Sequence, residues 1–417
     1  MDVVLRDATA VVLFPDEVPL RGAGFEGIEV VENVSVGADG GLVAELDAGG
    51  EAEIVFDASG CTVVPGFVDC HTHLPFYGWR ADEDAARLSG VRYEQLHGQK
   101  GGIFRSAGLL AEASDDEVLS FSRALADQML RSGTTSFETK SGYGLSVDAE
   151  LRQLRLAGVL STMVPQRVVP TCLAAHAIPD GMNAGEWISL AAQQLLPKAV
   201  ELGLCNAVDI YVETIAFALE HAARLAHVAE QLDLRKRVHA DQLADNQTAS
   251  FATRWGYATC DHLNNTSPEG VEDLAESETV AVLLPGATFT LRQDAKPPAR
   301  SLVDSGAVVA LGTDLNPGTS PVHSMPFVIA LACRSYGMRP LEALAAATVN
   351  AAFAVDLAEV GRIAPGWGAD LVVLDIPSPD HLAYRPDHNP VLAVVAGGRL
   401  VHVADGARQR VLNGSGP

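Results

Sequence analysis

Residues 65–73 read PGFVDCHTH and follow a short apolar run at residues 62–64. In an extended strand, residues i and i+2 project to the same side, so His71 and His73 present two imidazoles together. Neutral imidazole is a common protein ligand for zinc and similar ions. A lone His-x-His pair is equally compatible with two surface histidines in a loop. Its place after an apolar strand and a Pro-Gly turn favours a metal site at the end of a first barrel strand.

Seven further apolar segments follow, and longer helical stretches separate them. Continuous apolar runs that alternate with helices indicate a parallel sheet buried on both faces. Eight such units predict a (β/α)8 barrel of the TIM type. The predicted strands are Thr62–Val68, Thr134–Glu138, Arg167–Leu173, Ala207–Val212, Arg237–His239, Ala258–Asp261, Val280–Leu284 and Ala307–Gly312.

One segment between predicted strands carries every signal of a helix. Ser114 with Glu117 three residues later fits a capping box at the start of a helix. An apolar stripe at helical spacing then runs from Val118 to Met129, and Gly133 occupies the place of a C-terminal cap. The pattern predicts a helix that covers the outside of the barrel.

Both ends of the chain have a different pattern, with short strands separated by Gly, Asp and Glu. This pattern is typical of antiparallel sheets. We therefore predict a small β-sandwich domain built from both chain termini, over residues 1–60 and 361–417, with the barrel inserted over residues 61–360. Its predicted strands are Val3–Val12, Ile28–Val36, Gly41–Leu46, Ala52–Phe56, Leu371–Leu374, Val391–Val395 and Arg399–His402.

The composition excludes several classes of function. The 417 residues are 48% hydrophobic and carry a formal net charge of -24, without a basic run, which argues against nucleic acid as a partner and favours a small-molecule substrate. No apolar run approaches the roughly 20 residues that span a bilayer, and the N-terminus lacks the pattern of a signal peptide. The six cysteines are scattered without a Cys-x-x-Cys pair. We expect a cytoplasmic protein with reduced thiols and no membrane partner.

Further candidate ligands stand at the ends of other predicted strands, where barrels of this type build their active sites. His239 ends the fifth strand, His262 follows the sixth and Asp314 follows the eighth. Each residue alone would pass for an ordinary polar loop residue. Together with His71 and His73, however, they predict a site for one divalent ion, with His71, His73, His239 and Asp314 as its ligands.

Such a site suits hydrolysis, because a bound cation lowers the pKa of water and polarises a carbonyl group. His262 would orient or deprotonate the water, or polarise the substrate oxygen. Asp314 could serve as a proton acceptor while it binds the ion. Histidine and aspartate suit both Zn and Fe. No lysine stands out as a ligand that would bridge a second ion.

Seven stretches of the chain, in order, resemble imidazolonepropionases, which are amidohydrolases. They are PGFVDCHTH, KSGYGL, AAHAIP, HADQ, CDHL, AVLLPGATF and GTDLNPGTSP. The His-x-His and Asp motifs are shared by amidohydrolases in general, whereas KSGYGL and TDLNPGTSP are much more specific. The resemblance implies a barrel with a β-sandwich, one Zn or Fe ion and a homodimer. It also implies hydrolysis of the lactam ring of 4-imidazolone-5-propanoate, an anionic substrate, to N-formimidoyl-L-glutamate.

The resemblance also implies site residues. The family's metal ligands correspond to His71, His73, His239 and Asp314, the same four residues that stand at the ends of predicted strands. The catalytic positions are His262, which activates water, with Asp314 and Gln242. The substrate-binding positions are Arg80, Tyr143, His176, Gln242, Asn316, Gly318 and Thr319.

These positions make chemical sense. Arg80 can grip a propionate carboxylate in a bidentate fork. Tyr143 stands between two glycines, which let the backbone approach a ligand closely. The polar loop Asn316–Thr319 lies beside Asp314 and can bind a carboxylate or a ring amide. From the residue types alone, a surface arginine, a structural tyrosine and a plain Asn-Pro-Gly turn would fit equally well.

Three features depart from the family pattern. Gln242 stands where relatives carry Glu or Gln, and a neutral amide cannot act as a general base, so that role falls to His262 or Asp314. Residues 76–79 place aromatic side chains beside Arg80, and residues 99–106 match the glycine-rich pattern only loosely. The last two departures leave the size of the substrate open.

Two other functions remain open at this point. Another amidohydrolase, such as a deaminase of an aminated heterocycle or a hydrolase of N-acyl amino acids, would have the same metal site. Arg80 distinguishes the deaminase, because a neutral purine or pyrimidine has no carboxylate for it to bind. A non-catalytic relative would have lost metal ligands, and none of the expected ligands is missing.

Overall fold

Eight parallel strands with helices between them form the central part of the chain. The computed structural model describes residues 1–49, 51–91 and 101–414. Neighbouring strands pair in chain order in one parallel sheet, which confirms the predicted (β/α)8 barrel. The barrel strands, numbered one to eight, are Phe67–Asp69, Thr134–Lys140, Arg167–Ala175, Ala207–Val212, Arg235–Ala240, Thr259–His262, Val280–Leu283 and Val309–Leu311.

The helices of the described ranges include the one whose signals were clearest in the sequence. Helix Asp115–Arg131 begins with the expected capping box between Ser114 and Glu117, and Gly133 just after it has a φ of 89°. Short 3-10 helices cover Gly22–Gly27 and Asp405–Arg410, and a π-helical turn covers Ala191–Leu195. The α-helices are Ala81–Leu88, Ile103–Glu112, Asp115–Arg131, Val147–Met163, Ala184–Leu190, Leu196–Glu201, Leu219–Gln231, Thr248–Arg254, Pro268–Ala275, Pro285–Thr290, Ala299–Asp304, Met325–Tyr336, Pro340–Ala346, Val349–Ala354 and Asp380–Tyr384. Among the described residues, no helix is both long and apolar enough to cross a bilayer.

The first and eighth strands meet just beyond their last residues. The backbone N–H of Asp314 donates to the carbonyl of His71 at 2.9 Å, and Thr72 forms a parallel bridge with Leu315. Gly312 permits this approach, because a Cβ built there would lie 2.9 Å from Cβ of His71. The contact that completes the barrel therefore also brings two predicted ligand segments together.

The two ends of the chain combine in a second, mixed sheet of nine strands, which confirms the predicted small β-domain. Val64 and Val372 pack into the same apolar cluster as the barrel, whereas Val63 and Val373 belong to a separate cluster on the other face. This alternation follows from the two-residue period of a strand. The strands are Val3–Leu13, Glu29–Asp39, Leu42–Leu46, Ile54–Asp57, Thr62–Pro65, Leu371–Leu374, Val391–Ala396, Arg399–Val403 and Val411–Asn413.

The segment predicted as one barrel strand over Thr62–Val68 is divided in the structure. Thr62–Pro65 lies in the mixed sheet, parallel to Val3–Leu13 and antiparallel to Leu371–Leu374, and so joins the two ends of the chain. Only Phe67–Asp69 belongs to the barrel. Gly66 lies between the two halves, and a side chain there would clash with Thr135, because a built Cβ would lie 2.2 Å from its Oγ1. Both halves are apolar and buried, so hydrophobic patterning could not separate them.

Candidate active site

The predicted metal-binding side chains converge at the carboxyl-terminal rim of the barrel. His71 and His73 follow strand one, His239 lies near the end of strand five, His262 ends strand six and Asp314 follows strand eight. All five side chains are buried, with at most 3% of each residue exposed. The fold therefore brings together residues from four separate strands that the sequence analysis grouped as one site.

The donor atoms of these residues lie close together. Nε2 of His73 is 3.1 Å from Oδ1 of Asp314 and 3.3 Å from Nε2 of His71. The ring centroids of His71 and His239 are 4.6 Å apart. His71, His73 and Asp314 offer ligand atoms within 4.8 Å of one another, and so do His71, His239 and His262. Because the two groups share His71, the spacing suits a common ion.

The hydrogen bonds of the imidazoles show that the donor set fits a divalent cation. Nδ1 of His239 lies 3.2 Å from Oδ1 of Asp209, while its buried Nε2 has no partner in the described part of the chain. Nδ1 of His71 lies 2.6 Å from Oδ2 of Asp261. A carboxylate at Nδ1 fixes the proton there and leaves the Nε2 lone pair as a metal ligand. His71, His73, His239 and Asp314 could therefore hold the ion.

The electrostatic surroundings favour the cation-binding forms of His73, His262 and Asp314, but not of His239. Burial lowers the pKa of His262 to about 3 and also lowers the pKa of His73, so both rings are neutral at pH 7. Burial raises the pKa of Asp314, but the hydrogen bond and charge of His73 outweigh it and keep the pKa low. Burial also lowers the pKa of His239, and here Asp209 outweighs it and raises the pKa. Since metal ligands must lose their protons, cation binding at His239 is linked to pH.

Two site residues have a left-handed backbone, with φ of 56° at Asp314 and 79° at His262. Such conformations cost about 1–3 kcal/mol each for residues other than glycine and persist only where the surroundings enforce them. At Asp314, the preceding Thr313 donates its N–H and its hydroxyl to the buried carboxylate of Asp69, at 2.9 and 2.6 Å. These bonds hold the turn that aims Asp314 at the histidines.

Arg80 lines the same cavity as His73, His239 and Asp314 and is 3% exposed. Its backbone N–H donates to the carbonyl of Pro317 at 3.0 Å, and its Nη1 lies 3.3 Å from the carboxylate of Glu83. Its buried Nε has no partner among the described residues. The guanidinium also fills the space beside Gly318, where a built Cβ would lie 1.6 Å from Nη2. The loop after strand eight therefore positions the arginine, which keeps donor capacity for an anion.

Tyr143 and His176 lie beside the histidine cluster. The His176 ring stacks on His73 with centroids 5.3 Å apart, and its Nδ1 is 3.1 Å from the carbonyl of Gly142. The Tyr143 ring centroid lies 5.9 Å from that of His73. The buried carboxylate of Glu150 accepts the N–H groups of Gly142, Gly144 and Leu145 at 2.7–2.9 Å. The glycine-flanked loop is thus fixed by helix Val147–Met163.

One cavity joins the metal-binding group with the predicted substrate-binding group. It is lined by His73, Arg80, Ile103, Tyr143, His176, Tyr211, His239, Gln242, His262, Asp314, Asn316 and Thr319.

The comparisons with known proteins identify the family of the chain. The amidohydrolase family model matches residues 62–401. An imidazolonepropionase from Symbiobacterium thermophilum is 40% identical over 372 residues, which cover 88% of this chain and 87% of the relative. Another from Rubrobacter xylanophilus is 38% identical over 410 residues, which cover 95% and 98%. The chain belongs to the imidazolonepropionase family of amidohydrolases.

Two solved structures of zinc-containing enzymes share the fold. An adenosine deaminase from Xanthomonas campestris with bound zinc has a TM-score of 0.73 at 17% identity, over 98% of this chain and 97% of the other. A variant of atrazine chlorohydrolase from Arthrobacter aurescens, complexed with zinc and atraton, has a TM-score of 0.72 at 17% identity, over 96% and 95%. At this identity the likeness shows the fold alone. Family membership makes the chain a metal-dependent hydrolase of a small molecule, with a divalent ion.

In the loop after Asp314, the Asn316 side chain forms hydrogen bonds with other groups of the loop itself. Oδ1 of Asn316 accepts the N–H groups of Gly318 and Thr319 at 2.9 and 2.7 Å, and the Thr319 hydroxyl at 3.0 Å. Nδ2 of Asn316 donates to the carbonyl of Asp314 at 2.6 Å. The predicted backbone donors are therefore already used inside the loop, and Asn316 braces it.

The aromatic side chains of residues 76–79 pack against other aromatic residues and do not line the cavity. Phe76 packs edge-on against Trp79 and Phe121, with ring centroids 5.4 and 5.6 Å apart, and Tyr77 also contacts Phe121. None of residues 76–79 is among the lining residues of the described cavity. Of residues 99–106, positions 99 and 100 lie outside the described residues, and Ile103 lines the cavity.

Sequence reasoning missed two sets of residues. Tyr211, in strand four, lines the cavity and lies 5.7 Å from His239 between ring centroids. Lys140, at the end of strand two, is fully buried with Glu138 and Asp209 next to the histidines. Burial lowers the pKa of Lys140, but the charges of Asp209 and Glu138 outweigh it and raise the pKa above its usual value. The two-residue period of strand two, which places Glu138 and Lys140 on one face, was an available signal.

Proposed function

We propose that the chain hydrolyses the cyclic amide of 4-imidazolone-5-propanoate to N-formimidoyl-L-glutamate, in histidine degradation, with one Zn or Fe ion. The relatives at 38–41% identity bear the name of this activity. We also propose that the protein is a cytoplasmic homodimer, as the family likeness implies. We further propose that the barrel spans residues 61–360 and that both ends of the chain form the β-domain. Within these bounds, the strand Thr62–Pro65 belongs to the β-domain.

The observation that carries the proposal is the shared cavity. His73, His239 and Asp314 line it together with Arg80. Hydrolysis of an anionic lactam requires both a group that activates water and a cationic group for the carboxylate. A substrate with a ring and a short acidic side chain matches this arrangement.

Arg80 and other residues that line the cavity would bind and orient the substrate. Arg80 would bind the propionate, because its guanidinium is buried and its Nε has no partner among the described residues. Tyr143 and His176 would contact the imidazolone ring of the substrate. Gln242 would orient the ring amide, since its side chain has no titratable proton near neutral pH.

His262 or Asp314 would transfer a proton from the attacking water to the departing nitrogen. When bound, the cation lowers the pKa of water and polarises the substrate carbonyl. Water adds its oxygen to the lactam carbonyl carbon, and the bond from that carbon to the ring nitrogen breaks. The neutral ring of His262 or the carboxylate of Asp314 would accept the proton of the water. The same group would then return that proton to the departing nitrogen, and the new carboxylic acid would release its remaining proton to become a carboxylate.

The test is incubation of the protein with freshly prepared 4-imidazolone-5-propanoate, followed by loss of the ring absorbance. Mass spectrometry should show the gain of one water and no loss of ammonia. Protein stripped with a chelator is the control, and Zn or Fe should restore its turnover. Release of ammonia from aminated heterocycles, or hydrolysis of N-acyl amino acids, with no turnover of the imidazolone would contradict the proposal.

A further inference from the structure

A buried cation lies beside the carboxylates that contact the predicted metal-binding histidines. Nζ of Lys140 is 2.9 Å from Oε1 of Glu138, 2.9 Å from Oδ2 of Asp209 and 3.8 Å from Oδ2 of Asp261. All four side chains are at most 1% exposed. One ammonium therefore faces three carboxylates that have no access to bulk water.

Each of these carboxylates contacts a different part of the histidine cluster. Asp209 lies 3.2 Å from Nδ1 of His239, and Asp261 lies 2.6 Å from Nδ1 of His71. The Glu138 carboxylate approaches the segment between the first two histidines, since its Oε2 accepts the backbone N–H of Thr72 at 3.4 Å. Lys140 is the described cation that touches all three carboxylates, so it connects histidines on strands one and five.

The electrostatics explain why a cation is needed at this point. Two buried carboxylates so close to one ammonium would repel each other strongly without it, because the low dielectric of the interior screens them weakly. Asp209 and Asp261 would then have to move apart, take up a proton or rotate away from their histidines. Any of these changes would alter the orientation of His239 and His71.

We propose that Lys140 is a positioning residue that holds Asp209 and Asp261 against His239 and His71, and so sets the affinity and geometry of the metal site. This inference rests on the proposed ligand set. Lys140 itself is not a ligand in this arrangement, because its ammonium is committed to carboxylates. The three protons of an ammonium suit three separate acceptors, which the planar fork of arginine would not match.

The experiment compares wild type with Lys140→Met and Asp209→Asn, each loaded with Co(II). We expect at least about a tenfold loss of Co(II) affinity in chelator competition for each variant, the range typical for residues that orient metal ligands. The visible absorption bands of bound Co(II) should also shift. Because both residues act on His239, the double variant should lose much less than the product of the two single losses.

Arg237→Met is the matched control. Arg237 is another buried cation of the barrel, at 1% exposure, but its Nη1 donates to the carbonyl of Ala354 at 2.9 Å. Its loss should leave the Co(II) spectrum unchanged. If Lys140→Met does not fold, Lys140→Arg decides the question, since it keeps the charge and should still shift the spectrum.

The outcomes separate this inference from the proposed function. Unchanged affinity and spectrum in the folded Lys140 variants, or an equal shift in Arg237→Met, would overturn the positioning role while the proposed function stands. A wild-type protein that binds neither Co(II), Zn nor Fe would overturn the proposed metal site itself.

Discussion

The guanidinium of Arg80 occupies the space that a side chain at Gly318 would need. A Cβ built at Gly318 would lie 1.6 Å from Nη2 and 2.1 Å from Cζ of Arg80. The loop after strand eight, which contains the proposed metal ligand Asp314, therefore decides where the proposed carboxylate-binding group lies. One loop therefore connects a proposed metal ligand with the proposed carboxylate-binding arginine.

The first prediction follows from this contact. Gly318→Ala should displace the Arg80 guanidinium and lower kcat/KM at least about tenfold, mainly through KM, because a fork moved by an ångström loses its bidentate contact. Steady-state kinetics on 4-imidazolone-5-propanoate measure the effect. Gly108→Ala is the control, since nothing lies within 4 Å of a Cβ built there. If Gly318→Ala is as active as wild type, Arg80 does not need its present position.

The second prediction concerns the charge of Arg80. Arg80→Ala should lower catalytic efficiency by about tenfold or more, since a charge-assisted contact contributes about 1.5–3 kcal/mol and 1.4 kcal/mol is one decade. Arg80→Lys should recover only part, because it keeps the charge without the fork. An analogue with a neutral amide in place of the carboxylate should lose less on substitution of Arg80. Losses that simply add in this double cycle would show that Arg80 does not meet the carboxylate.

The third prediction tests the role of Gln242. Gln242→Glu should remain active, with an altered pH profile, because an amide is not the proton acceptor. Gln242→Ala should raise KM by more than it lowers kcat. Separate measurement of substrate binding and of single turnover distinguishes the two effects. Complete loss of turnover with normal binding would remove His262 and Asp314 as sufficient proton acceptors.

The fourth prediction concerns the metal. Protein purified without added metal should contain close to one divalent ion per chain by elemental analysis. His71→Ala should lower both ion content and turnover together, because His71 belongs to both groups of converging donor atoms. His381→Ala, at a half-buried histidine on helix Asp380–Tyr384, is the control and should leave both unchanged. Under a tenth of an ion per chain in wild type, with no activity on reconstitution, would contradict the mononuclear mechanism.

Much of the site could be predicted because its signals are local. A His-x-His pair after an apolar strand, and polar residues at the ends of later strands, can be recognised without tertiary structure. The parallel barrel then requires those strand ends to meet at one rim. His71, His239 and Asp314 are brought together for this reason. The capping box of Ser114 and Glu117 is a local signal of the same kind.

Other features depend on contacts between segments that are distant in the sequence. Thr135 packs so close to residue 66 that only a glycine fits there. In the same way, the Arg80 guanidinium fits only because residue 318 has no side chain. The role of Lys140 depends on carboxylates from strands two, four and six. Local patterns report which way a side chain points along its own strand. Only the packed barrel decides which charges share one buried volume, because burial and electrostatic pairing are properties of the neighbours.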